Sequence, residues 1–207
     1  MPQGFKASIS LFFSLIIIAF FSGCAARSYL MVDYHLPNAS QDLKGQMVHL
    51  RVIDKRTASS TLTAEAADQF PEFSGFYSLA WIMPDQQRIL AGEHHLPELF
   101  ETVFEKRLAE LGGGTTDSTE AGAPVLTIVL KQISIDLQNH KWKADLNYDA
   151  VLSVANRPAA KESIHGSAER VQIMGIKGAD KMFSEIFTDV VNRLDLTKLF
   201  RNARLIS

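Results

Sequence analysis

The stretch Trp142 to Val154 constrains the fold of this chain more than any other. Trp142, Ala144, Leu146, Tyr148, Ala150, Leu152 and Val154 alternate with Lys143, Asp145, Asn147 and Asp149. That period of two is what a strand needs when one face lies in a core and the other in water. A companion precedes it. Val125 to Leu137 begins apolar on both faces, as a buried central strand does, then alternates through Ile133, Ile135 and Leu137. Asn139-His140 is placed to turn the chain between the two. After Asn156-Arg157-Pro158, a weaker strand is expected over Glu162 to Met174. A hairpin this long has one apolar face that must be covered.

Two amphipathic stretches can cover it. Leu96, Leu99, Phe100, Val103, Phe104, Leu108 and Leu111 share one face of a helix. Pro97 suits its first turn, Glu98 and Glu101 its positive end, and Gly112 its C-terminal stop. Phe183, Ile186, Phe187, Val190 and Leu194 make the inner stripe of a second helix over about Asp180 to Leu194, followed by a terminal turn through Asp195 to Phe200. Met47 to Asp54, with Val48, Leu50 and Val52 on one side, reads as the first strand. The expected fold is α+β: a mixed four-stranded sheet in the order β-α-β-β-β-α with two amphipathic helices on one face. Its first strand runs parallel to the one from Val125 through a right-handed crossover.

Residues 65–92 form an aromatic-rich insertion carrying Phe70, Phe73, Phe76, Tyr77 and Trp81, interrupted by Pro71, Gly75 and Pro84. It is too long for a plain connector. Either the rings fill the core beneath a long loop, or they form an interaction surface for a protein or lipid partner, since aromatic rings dominate binding hot spots.

The N-terminus points to a location. Lys6 precedes an apolar run from Ile9 to Phe21, broken only by Ser10 and Ser14, and then Ser22, Gly23 and Cys24 follow. The run is shorter than a membrane-spanning helix and ends as a secretory signal does. A cysteine directly after small residues is the acceptor of a bacterial lipoprotein, although Phe21 stands where leucine is usual. Cys24 is the only cysteine of 207 residues, so no internal disulfide competes for it. An uncleaved anchor and an ordinary signal peptide with an incidental cysteine are the alternatives. The expected division is a signal peptide over 1–23, a lipidated N-terminus and tether over 24–45, and a single α+β domain over 46–207. The patch Tyr29 to Val32 in the tether could dock as an edge strand. Ala25 is not the aspartate of an inner-membrane retention signal, which by analogy favours the outer membrane facing the periplasm. Removing 1–23 takes away Lys6 and no acid, leaving 20 basic against 23 acidic residues. A mildly acidic, interspersed charge distribution has no footprint for nucleic acid.

The layout resembles the YajG-type family of small envelope lipoproteins and, more loosely, the auxiliary lipoproteins of lipid-transport ABC systems. The similarity rests on Cys24, the strand Val48 to Asp54 ending in Asp54-Lys55-Arg56, the helix closing at Leu111-Gly112, the hairpin Leu126 to Val154, and the C-terminal helix with Leu199-Phe200. The resemblance implies an envelope lipoprotein with no known catalytic site.

Catalytic patterns are weak. Glu93-His94-His95 and Glu98 hold histidines side by side, whereas zinc-binding helices place them four apart on one face. A polar helix start is the better reading. Asp54 and Arg56, two apart at a strand end, read as a structural ion pair or turn cap. Asp145 and Asp149 lie about 13 Å apart along a strand and read as part of a solvated face. Gly112-Gly113-Gly114 lacks the Lys-Ser/Thr of a phosphate loop. The function expected is that of a non-enzymatic, lipid-anchored component that binds or supports another envelope protein or lipid, with no cofactor and no metal. An accessory role in lipid transport and, less favoured, a metal-dependent hydrolase are the alternatives.

Overall fold

The computed structural model describes residues 29–117, 123–172 and 177–207. In chain order the elements are β1 (Tyr29–His35), β2 (Met47–Asp54), α1 (Ala64–Ala67), β3 (Phe76–Ile82), β4 (Arg88–His95), α2 (Leu96–Glu110), β5 (Gly114–Thr115), β6 (Val125–Gln138), β7 (Lys141–Val154), β8 (Arg157–Val171), α3 (Lys177–Arg193) and α4 (Leu196–Asn202). They build two sheets, five strands ordered β5-β2-β6-β7-β8 and three ordered β1-β3-β4.

The alternating segments form the larger sheet. β6 and β7 pair antiparallel from Val125↔Ser153 to Gln138↔Lys141, and β8 pairs antiparallel with the other edge of β7 from Lys141↔Val171 to Val154↔Arg157. Both hairpins close in two residues with positive φ, Asn139 at 51° and His140 at 58°, then Ala155 at 50° and Asn156 at 61°. Positive φ at both central residues is the type I′ requirement, and it matches the twist of the strands. The second turn thus falls one residue before the expected Asn156-Arg157-Pro158, and β8 starts at Arg157 rather than near Glu162. β2 joins β6 in parallel register, Leu50↔Leu126 and Val52↔Ile128, after the crossover through α2.

The expected single four-stranded sheet needs correcting. Its four strands are present and adjacent as β2-β6-β7-β8, with the short β5 added beside β2, but a second sheet exists that the sequence pattern hides. β1 lies in the tract read as a tether, and β3 and β4 lie in the aromatic insertion. β1 pairs in parallel with β3, Tyr29↔Phe76 through His35↔Ile82. A bulge between Leu79 and Ala80 breaks the β3–β4 register and puts two buried residues in succession, so the period-two signal fails where it would have been read.

Both helices supply rings to one core. Phe100 and Phe104 of α2 meet Tyr148 of β7 edge-on at 5.8 and 6.0 Å, and Phe100 meets Phe187 of α3 at 5.1 Å. The small sheet closes over α3 from the other side through Tyr34–Phe187 at 6.0 Å and Tyr77–Phe183 at 5.6 Å. α3 is therefore sandwiched between the two sheets rather than lying open on one face. Gly166 of β8 permits its close approach, because a Cβ there would lie 2.3 Å from Val190 Cγ1.

The outer edge of β1 is sealed by side chains of α3 instead of a strand. The Met31 N–H donates to Asp180 Oδ1 at 3.0 Å, Asp33 N–H to Ser184 Oγ at 3.0 Å and His35 N–H to Thr188 Oγ1 at 3.2 Å. In return Ser184 Oγ donates to the Met31 carbonyl at 3.4 Å, Thr188 Oγ1 to that of Asp33 at 3.5 Å and Asn192 Nδ2 to that of His35 at 3.0 Å. Four helical residues rise about 6.0 Å, and two residues of parallel strand about 6.6 Å. A polar residue at every fourth helix position therefore keeps step with every second strand residue.

On the opposite face of the large sheet, Asp149 departs from the solvated reading, being only 5% exposed. A bulge between Leu130 and Gln132 in β6 leaves Lys131 out of register, and its Nζ lies 2.7 Å from Asp149 Oδ2. Lys161 Nζ lies 2.8 Å from the same oxygen, and Ser163 Oγ donates to Oδ1 at 2.7 Å. Burial opposes the charged carboxylate, but the bonds from Lys131, Lys161 and Ser163 together outweigh it and hold the group at about 2. The folded value lies below the ordinary 3.8, so the stabilisation is present above about pH 4 and fades as pH falls through 2. Asp149→Asn is expected to lose about 2 kcal/mol at pH 7. Urea unfolding of both proteins at pH 7 and pH 2 checks this, since the difference should shrink to a small fraction at the lower pH.

Candidate functional site

Where β2 ends, the chain makes a polar turn that contributes one wall of a cavity of about 340 Å³, lined by Arg56, Ser59, Ser60, Thr61, Phe73, Gly75, Tyr77, His95, Leu96 and Pro97. Asp54 organises this wall. Its Oδ1 accepts from the Arg56 backbone N–H at 3.0 Å, and its two oxygens accept from Arg56 Nε at 3.0 and 3.2 Å and from Nη2 at 2.8 Å. The Arg56 hydrogen bond is the main reason the Asp54 carboxyl lies below its ordinary range, with burial acting against it. So held, the Arg56 side chain is only 8% exposed, and its Nη1 donates to Thr61 Oγ1 at 3.1 Å.

The facing wall comes from the small sheet. Tyr77 OH donates to the same Thr61 Oγ1 at 2.6 Å, and burial pushes the Tyr77 hydroxyl up to about 12 despite that bond. Phe73 meets Tyr77 edge-on at 5.8 Å. The floor is the start of α2, where His95 is the N-cap, Pro97 sits in the first turn, and Glu98 Oε2 accepts the His95 N–H at 3.2 Å. The His95 ring lies on Phe76 at 4.0 Å. His94 faces elsewhere, with Nε2 3.0 Å from the Ala91 carbonyl. Among the described residues no three His, Cys, Asp or Glu side chains are grouped to hold a metal ion.

Of the residues singled out from the sequence, Cys24 lies outside the described residues. The aromatic five do not form one exposed patch. Phe70 and Tyr77 are buried, while Phe76 is half-buried, as are Phe73 and Trp81, which pack against the core. Phe70 reaches Trp142 at 5.9 Å and Trp81 reaches Tyr34 at 6.0 Å. Only Phe73 and Tyr77 also touch the cavity. The residues that sequence reasoning missed are Ser59, Thr61 and His95 as lining groups, and Arg56 in any role beyond the ion pair. A visible signal was the run of hydroxyls from Thr57 to Thr63 immediately after Asp54-Lys55-Arg56. A second cavity, of about 460 Å³, runs along Met31, Asp33, His35, Asp180, Lys181, Ser184 and Glu185; much of its polar lining is engaged in sealing β1.

No protein-family model and no curated protein matches the chain. Among solved structures, the crystal structure of protein XCC0632 from Xanthomonas campestris, described as DUF330, matches 84% of this chain and 97% of its own, with a TM-score of 0.52 and 13% identity. A minor lipoprotein from Acinetobacter baumannii matches 75% of this chain and 95% of its own, with a TM-score of 0.33 and 9% identity. The first likeness is one of fold, over 84% of this chain.

Proposed function

We propose that this chain is a lipid-anchored, non-enzymatic lipoprotein of the bacterial cell envelope, a binding or support component held at a membrane through Cys24. The observation that carries the reading is the sequence Phe21-Ser22-Gly23-Cys24, which stands only five residues before β1. Two to three acyl chains on that thiol and its amine would anchor the domain almost permanently, at about 0.8 kcal/mol for each buried methylene. The finer reading is of an outer-membrane protein facing the periplasm, resembling the YajG-type lipoproteins. Among the described residues, no helix is long and apolar enough to cross a membrane. The pocket also favours binding over turnover, because the Asp54 carboxylate is paired with Arg56 and is not among the residues that line the space.

The alternative of an accessory lipoprotein in lipid transport would gain from an apolar groove between the large sheet and the helices. That space holds the fully buried rings of Phe100, Phe104, Tyr148 and Phe187, which favours the first reading. Metabolic labelling with a palmitate analogue, followed by membrane fractionation, tests the anchor. Cys24→Ala should carry no label, and it should stay in the membrane fraction only through its uncleaved apolar segment Ile9 to Phe21. Retention of labelled acyl chains by that variant would refute the proposal.

A further inference from the structure

The Arg56 cavity is rich in donors and poor in acceptors. Arg56 has five N–H groups, of which Nε and one on Nη2 go to Asp54 and one on Nη1 goes to Thr61. Two remain without an acceptor among the described residues, on a side chain more than nine-tenths buried. Thr61 Oγ1 accepts from both Arg56 and Tyr77, which leaves its own hydrogen unused although Thr61 is only 4% exposed. The Ser59 hydroxyl, also in the lining, has no partner among the described residues. α2, a 15-residue helix, begins against the cavity at Leu96 and directs its partial positive end there. Neither Asp nor Glu is among the described lining residues, although Asp54 stands directly behind Arg56 and Glu98 behind His95. Buried donors without acceptors are unfavourable, and an oxygen-rich anion supplies what they lack.

We infer that this pocket binds a phosphate group carried as an ester, with Arg56 as its charged donor and Ser59 and Thr61 as hydroxyl donors. The volume exceeds what a bare phosphate needs, and Phe73, Leu96 and Pro97 offer apolar contact to the ester's carbon side. The position favours a lipid headgroup as the source, a step that rests on the Cys24 anchor. Tyr29, Phe76 and His95 are neighbours across the small sheet, which sets Tyr29 about 10 Å from the pocket residue His95. The five residues from Cys24 to Tyr29 reach at most about 18 Å. A membrane holding Cys24 is thus within a short reach of the pocket. The same chemistry could be met by a soluble phosphate ester, and the test separates the two sources.

The full chain carrying Cys24→Ser, purified in detergent, is titrated calorimetrically with inorganic phosphate and glycerol 3-phosphate. After detergent removal it is sedimented with phosphatidylglycerol vesicles and with glycolipid vesicles that lack phosphate. Both soluble probes should bind, glycerol 3-phosphate more tightly. Phosphatidylglycerol vesicles should carry down more protein than glycolipid vesicles, the excess depending on Arg56, since the apolar segment Ile9 to Phe21 attaches the chain to either. Arg56→Gln should weaken binding of each soluble probe about tenfold or more, and Ser59→Ala, on an exposed residue whose loss leaves the fold intact, should weaken each about threefold. Arg56-dependent binding of soluble phosphate without an Arg56-dependent excess on phosphatidylglycerol vesicles would keep the site and assign it a soluble ester. The soluble arm does not depend on the anchor, so failure of the lipidation reading leaves it standing. No phosphate binding, or binding unchanged in both variants, would overturn the site.

Discussion

Arg107→Ala is expected to destabilise the protein by about 4 kcal/mol, the largest loss from any single polar side chain in the core. Arg107 lies on α2 among Val103, Phe104 and Leu108 and is 6% exposed. Among the described residues no carboxylate meets it. Its Nη1 donates to the Val191 carbonyl at 2.6 Å and its Nη2 to the Leu194 carbonyl at 3.0 Å, so its counter-charge is the negative C-terminal end of α3. The guanidinium also stands 5.9 Å from the Phe104 ring, and Tyr148 OH closes the neighbouring Val190 carbonyl at 2.9 Å. Burying a guanidinium is itself costly, and Nε lacks a partner among the described residues. Removing the charge would therefore relieve one penalty while creating two others, a cavity and two carbonyls without donors. Comparing Ala with Met separates these. Met fills the volume and removes the charge, so its loss of about 2 kcal/mol would measure the orphaned carbonyls net of the relieved cost of burying the guanidinium. Urea unfolding at pH 7 gives both values. A Met variant as stable as the parent would show that capping α3 contributes nothing net.

Arg107 also marks where sequence reading reaches its limit. The stripes on α2 and α3 were legible because the 3.6-residue period is local, and the long hairpins because each strand's partner follows within two residues of turn. Asp54 and Arg56 were legible as a pair because residues two apart at a strand end share a face. What stayed hidden depends on partners distant in the chain. β1 was readable as an apolar patch, but its neighbour β3 begins at Phe76 and its sealing groups at Asp180. Arg107 looks like an ordinary polar-face residue until the end of α3 is brought against it. The cavity needs the Arg56–Thr61 turn, the start of β3 and the start of α2 to converge, and no single segment announces that convergence. The sequence leaves open whether the aromatic rings fill the core or form a surface. The fold instead divides them, with Phe70 placed on Trp142, Tyr77 on Phe183 and Phe76 on His95.

The double variant Ser184→Val, Thr188→Val is expected to lose about 3 kcal/mol and to self-associate, because it opens the edge of β1 while leaving the helix intact. Each hydroxyl serves one N–H and one carbonyl of β1, so the pair of substitutions orphans the N–H groups of Asp33 and His35 and the carbonyls of Met31 and Asp33. Valine matches threonine in shape, which confines the change at Thr188 to hydrogen bonding, and it is one heavy atom larger than serine, which adds a packing cost at Ser184. Ser184 is nearly buried and cannot exchange its partners for bulk water. Asp180 and Asn192 would still hold the two ends of the strand, and the Tyr34 hydroxyl would still donate to Asn192 Oδ1. Loss should therefore centre on Asp33, with its amide exchanging hydrogen faster than those of Leu30 and Val32, which face β3. Hydrogen exchange reads that local opening, and sedimentation reads the association. Unchanged protection at Asp33 and His35 would mean that burial of Leu30, Val32 and Tyr34 alone keeps β1 in place. The consequence reaches the membrane, because β1 is the element that joins the domain to the proposed anchor, and a strand that frays there would loosen the pocket's position relative to Cys24.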